Sequence, residues 1–154
     1  MMGYKTKLGA EQAQQRIKQY CAYQERCHHE TKEKLFSFGL SRNEVDQIIS
    51  ALIEEDYLNE ERFAAAFARG KFRMKQWGLV KIKYELKQRH VSEYCIKKAM
   101  KEIDSDEYLK TFSKQFDTKM NELKSEKNVG VRNKKVTDYL LQKGFELDMI
   151  LSHF

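Results

Sequence analysis

The sequence contains no proline and only seven glycines in 154 residues. Nothing in it removes a helical N–H by ring closure, and few positions relax the backbone, so long helices can form without interruption. No apolar run approaches the roughly 20 residues that a membrane span needs. The N-terminal MMGYKTKLGAEQAQQRIKQY has no hydrophobic region of a signal peptide, and a cytoplasmic protein with no membrane partner is expected. The three cysteines, Cys21, Cys27 and Cys95, are odd in number and follow no framework spacing. Reduced thiols and no disulfide are therefore expected. Glycine-rich phosphate loops of the GxGxxG and GxxxxGK kinds are absent, and no Ser/His/Asp or Cys/His triad can be assembled. These absences point away from an enzyme: the expectation is no catalytic residue, no cofactor and no metal.

What is present is charge, and it is unevenly spread. Charged residues make up 34% of the chain, a fraction suited to helices with solvated faces, so the expected class is all-α. The net charge of +6 hides a polarity. Residues 41–68 hold seven acids against Arg42 and Arg62, whereas Arg69 to His90 hold eight Lys/Arg against the single acid Glu85.

Three segments align as a repeat: KEKLFSFGLSRNEVDQIISAL (32–52), KYELKQRHVSEYCIKKAMKEI (83–103) and TDYLLQKGFELDMILSHF (137–154). With Leu35, Leu86 and Leu140 superposed, Gly39, His90 and Gly144 coincide. So do Leu40, Val91 and Phe145, then Val45, Ile96 and Ile150, then Ile49, Met100 and Phe154. Each segment reads as a helix end, a tight turn and a new helix. Gly39 and Gly144 stand where a helix terminus wants φ > 0, and His90 tolerates that region better than most residues. Ser41 opens a capping box with Glu44, Ser92 is its counterpart, and Glu146 is a weaker cap. A longer amphipathic stretch precedes each pair, at about 11–26, 60–75 and 105–124. The expected architecture is three tandem three-helix, helix-turn-helix-like repeats forming an elongated curved body. Their expected bounds are 1–56, 57–104 (central and basic) and 105–154. The polar segment NELKSEKNVGVRNKK (121–135) is expected to be a mobile connection inside the third repeat.

Five carboxylates, Glu54, Glu55, Asp56, Glu60 and Glu61, fall within eight positions and could ligate a divalent metal or serve acid/base chemistry. Their spacing favours a structural role. Glu54 and Glu55 close one helix, Asn59 caps the next, and acids in its first turn suit the helix dipole. Past them, Arg62, Arg69 and Arg73 form a stripe on one helical face, with Lys71 and Lys75 beside it. Lys81, Lys83, Lys87 and Arg89 follow around a core stripe of Leu79, Ile82 and Leu86. Such density would attract phosphate or an acidic protein surface. Of the aromatics nearby, Phe72 and Trp77 read as core or junction residues and Tyr84 as exposed. The CAYQERCHH segment (21–29) lacks the paired Cys and His spacing of a zinc site.

The stretch from Leu52 to Met100 resembles the RecX family, bacterial regulators of the RecA recombinase. The matching residues are Leu52, Tyr57 and Leu58, EERFA at 60–64, the basic helix, Gly78, and Glu85 with Leu86; KLFSFGLS (34–41) extends the match into the first repeat. The resemblance implies tandem three-helix repeats and a role without catalysis: binding in the groove of the RecA–DNA filament and inhibiting ATP hydrolysis, strand exchange and coprotease activity. RecA and single-stranded or duplex DNA would be the partners of a monomeric protein. Arg62, Arg69, Lys71, Arg73, Lys75, Lys81, Lys83, Lys87 and Arg89 would form the binding face. His90 stands where the family often has glycine, and little follows the last helix. A free-standing, sequence-nonspecific DNA-binding helix-turn-helix module is the alternative.

Overall fold

The structure is a computed structural model that describes residues 8–154. The first seven positions of the N-terminal stretch read for a signal peptide lie outside them. Among the described residues all regular structure is helical, in three successive triplets. The first comprises α1 (Ala10–Tyr23), α2 (His28–Ser37) and α3 (Arg42–Glu54). The second comprises α4 (Glu60–Gly70), whose last turn widens into a π turn (Lys71–Lys75), then α5 (Leu79–Gln88) and α6 (Glu93–Met100). The third comprises α7 (Ser105–Glu122), α8 (Val129–Lys143) and α9 (Leu147–His153). No helix is long and apolar enough to cross a membrane.

The turn between the last two helices of each triplet follows the repeat. Leu35, Leu86 and Leu140 are each fully buried. Four residues on, Gly39, His90 and Gly144 have φ of 83°, 60° and 99°. The following N–H returns to the buried leucine: Val91 donates to Leu86 O at 3.2 Å and Phe145 to Leu140 O at 3.1 Å. An L-residue at such a φ costs about 1–2 kcal/mol, so the His90 turn is the strained one, and its ring packs 4.4 Å from that of His29. Ser41 accepts from Glu44 N while Glu44 reaches back to Ser41 N, closing the capping box. Ser92 caps α6, and Glu146 makes no capping bond.

The segment 121–135 differs from the expectation of a polar connection. Asn128 Oδ1 accepts the Val131 N–H at 3.1 Å and starts α8 at Val129, so the last seven of those residues belong to α8, and Asn121 and Glu122 still belong to α7. Gly130 falls in the first turn of α8, where a flexible residue costs little because few intrahelical bonds depend on it. A good cap outweighs one glycine here.

Three triplets share two cores. Ile17, Leu35, Val45, Ile48, Ile49 and Leu52 form the first with Leu58, and Tyr57 packs against it, so both residues after Asp56 anchor backwards. The second core runs through the second and third triplets, from Phe63, Ile82, Leu86 and Ile96 to Phe112, Phe116, Leu140, Phe145 and Ile150, and it also takes in Cys27 from the first triplet.

The second and third triplets join through the main chain. The residue at the cap of α5 is Gly78, which has no side chain to accept a bond there. The third triplet supplies the acceptors instead. Gly78 N donates to Lys143 O at 2.8 Å and Val80 N to Gly144 O at 2.9 Å. Leu79 N donates to the Tyr108 hydroxyl at 3.0 Å, and that hydroxyl donates to Glu146 at 2.7 Å. Burial against Phe72 and Phe145 pushes the Tyr108 phenol well above its ordinary range, keeping it a donor.

Candidate nucleic-acid interface

The carboxylate cluster separates into individual structural contacts. Glu55 pairs with Lys18 at 3.0 Å. Asp56, at φ 64°, ends α3 in the left-handed region and pairs with Arg62 at 3.1 Å. Glu61 pairs with Lys98 at 3.0 Å, tying α4 to α6. Glu60 accepts the Ser92 N–H at 3.0 Å and faces the Cys95 thiol, so α4 helps to cap α6. Cys95 and Cys27 are both buried free thiols pushed upward by burial. Cys27 caps α2: its Sγ accepts Glu30 N, and Glu30 accepts Cys27 N.

Beside Cys27, at the seam between the first two triplets, His28 is half-buried and its Nε2 meets no hydrogen-bond partner among the described residues. Burial pushes its pKa below 6.5, opposed by Glu60 and reinforced by Lys32. The fold therefore prefers neutral His28, and the stability this gives is complete above pH 6.5 and lost as pH falls through the depressed folded value. Denaturant melts at pH 7 and pH 5 should show a loss on acidification that is smaller in His28→Gln; an equal loss in both proteins would exclude His28 as the cause.

The nine cations expected to form the binding face divide by what surrounds them. Arg62 bonds Glu25 at 2.6 Å as well as Asp56, bridging α4 to the first triplet. Arg69 pairs with Glu102 at 3.2 Å, and Arg89 with Glu85 at 2.9 Å while lying 4.7 Å from the centre of Phe67. Lys71 and Lys81 flank the indole of Trp77, at 5.1 and 4.5 Å from its centre. Arg73, Lys75, Lys83 and Lys87 are exposed and form no ion pair among the described residues. Tyr84 and Met74, 58% and 83% exposed, lie among these open cations. Phe72 is buried and Trp77 half-buried, as expected.

One cation adjoining this surface was not singled out by the sequence. Lys143, in the last turn of α8, donates to the carbonyl of Lys75 at 2.8 Å. Burial, then the charges of Lys81 and Lys75, lower its pKa. The only sequence signal was its place before a helix-terminating glycine, which says where the helix ends but not what it meets.

Comparison with known proteins places this arrangement. The family model for the second three-helix domain of RecX matches residues 59–100, the triplet that carries the open cations. The regulatory protein RecX of Prosthecochloris aestuarii is 29% identical over 131 residues, covering 85% of this chain and 83% of that protein. The regulatory protein RecX of Clostridium perfringens is 31% identical over 120 residues, covering 77% of this chain. The chain is thus similar to RecX regulatory proteins over most of its length. It spans only 56% of the Clostridium protein, so it corresponds to part of that longer relative. The crystal structure of RecX from Lactobacillus salivarius superposes with a TM-score of 0.82 at 22% identity, covering 93% of this chain and 92% of that one. A second RecX crystal structure gives 0.81 at 21% identity over 90% of this chain. The all-helical fold of tandem three-helix repeats is thus the RecX fold, and the three triplets are its repeats.

Proposed function

We propose that this chain is a RecX-type cytoplasmic regulator that binds a RecA–DNA filament as a monomer and restrains ATP hydrolysis, strand exchange and coprotease activity, by contact and not by catalysis. Similarity to RecX regulatory proteins supports the partner, and one observation carries the site. The repeat matched as the second RecX domain is also the one that exposes Arg73, Lys75, Lys83 and Lys87, which form no ion pair among the described residues. These four meet the filament directly. Lys71 and Lys81 are held on Trp77 at its edge, and Arg62, Arg69 and Arg89 act through their ion pairs, fixing the angle at which the face is presented.

The test is RecA ATPase on single-stranded DNA. Addition of this protein should depress turnover, and a variant with Arg73, Lys83 and Lys87 changed to Glu should restore most of it while keeping its melting temperature. Full turnover at a stoichiometric excess of the unaltered protein would refute the reading. The open cations and helix-turn-helix pairs also suit a module that binds DNA alone. In gel shifts, equal affinity for naked duplex and for the RecA-coated strand would favour that module.

A further inference from the structure

Three elements bring lysines to the joint between the second and third repeats: Lys75 from the π turn, Lys81 from α5 and Lys143 from α8. Their placement is fixed by the main chain. Lys143 Nζ is held on Lys75 O at 2.8 Å, and Lys143 O receives Gly78 N at 2.8 Å. Lys81 abuts Gly144, the residue that ends α8 after Lys143, at its Cβ end and extends along Trp77. No carboxylate answers them: none of the three forms an ion pair among the described residues, and Glu146, two residues beyond Gly144, is taken by Tyr108. The charges felt by Lys143 are those of Lys81 and Lys75, both repulsive.

Like charges held together in a partly buried place favour an anion that can take hydrogen bonds from several ammonium groups at once. A phosphodiester has that chemistry, with two non-bridging oxygens sharing one charge. Exposed Arg73 lies in the same π turn, and exposed Lys83 and Lys87 lie further along α5. That track of cations suits a repeating anion better than an isolated carboxylate.

We infer that Lys75, Lys81 and Lys143 form a phosphodiester-binding site at the joint, which carries a single nucleic-acid strand across from the second repeat to the third. This deepens the function proposed above by naming where DNA touches the protein, and it rests on that reading only for its biological setting. It also gives the third repeat a share in a surface that the charge pattern confined to the second.

The experiment titrates the intact protein, without RecA, with a thymidine oligonucleotide, read by the emission of Trp77. This is the sole tryptophan, and the Lys81 ammonium lies on its ring. Lys143→Met and Lys81→Met keep the aliphatic stem and remove the charge. Each should weaken binding about tenfold and reduce the slope of log affinity against log salt by about 0.7. Lys134→Met, which removes the partner of Asp138 on α8, should leave both unchanged. Lys81 donates no hydrogen bond to the joint, so its loss reads charge and not folding. Unchanged binding in Lys81→Met would overturn the site, as would poly-glutamate bound as tightly as the oligonucleotide. Lysine-dependent oligonucleotide binding without any effect on RecA ATPase would retain the site and reject the proposed regulation. ATPase inhibition with oligonucleotide binding indifferent to Lys81 and Lys143 would do the reverse.

Discussion

Gly78→Ala should lower the melting temperature by about 6–12 °C, the equivalent of about 3 kcal/mol in a domain of this size. An added Cβ would run into the carbonyl carbon and oxygen of Gly144 and the amide nitrogen of Phe145, all of them backbone. No side chain can swing aside, so the third repeat must move away. The bonds from Gly78 N, Leu79 N and Val80 N then lengthen together, each worth about 1 kcal/mol when made. Gly70→Ala is the control. Gly70 is helical and nothing lies within 4 Å of the place its Cβ would take, so alanine there should leave stability equal or raise it by up to about 1 kcal/mol. Calorimetry of the two variants reads the contrast, and equal melting temperatures would show that the joint yields without cost.

Phe112→Ala should cost about 3–5 kcal/mol, the usual range for emptying a buried phenylalanine site. Phe112 is 1% exposed. Its ring lies 5.3 Å from that of Phe145, 5.2 Å from His153 and 6.0 Å from Phe116, so it fills the space between α7 and α9. Neither helix can collapse into the gap while Phe145 is held at the joint. Urea denaturation followed by circular dichroism would measure the loss. A cost below about 1 kcal/mol would mean that the cavity refills.

The repeat was legible because its signals are local. A buried leucine and a left-handed residue four positions on recur in all three repeats, a capping serine follows two positions later in the first two, and their physical demands are the same wherever they occur. The polar run at 121–135 misled because composition resembles a loop whether or not a cap such as Asn128 is in place. Partners far apart in the sequence left no mark. Glu60 meets Ser92 and Glu61 meets Lys98, 32 and 37 residues away, distances over which no period connects them. For the same reason the arginine stripe read as one ridge. Its spacing shows that Arg62, Arg69 and Arg73 share a face, but not that Glu25 and Glu102 fold back onto two of them. Lys143 stayed hidden because it stands 68 residues from the carbonyl it holds.

The division into two cores gives the molecule unequal parts under load. The second and third repeats share apolar packing and three hydrogen bonds from the N–H groups of Gly78, Leu79 and Val80, so they open as one cooperative unit. The first repeat closes on its own core and is fastened to the rest by the Arg62 bridge, the paired rings of His29 and His90 and the small Cys27 side chain. Ionic fastenings of this kind weaken with salt, whereas buried backbone bonds do not. Were a filament of the kind proposed above to turn beneath the protein, the first repeat would be the part to swing, while the other two would hold as a rigid pair.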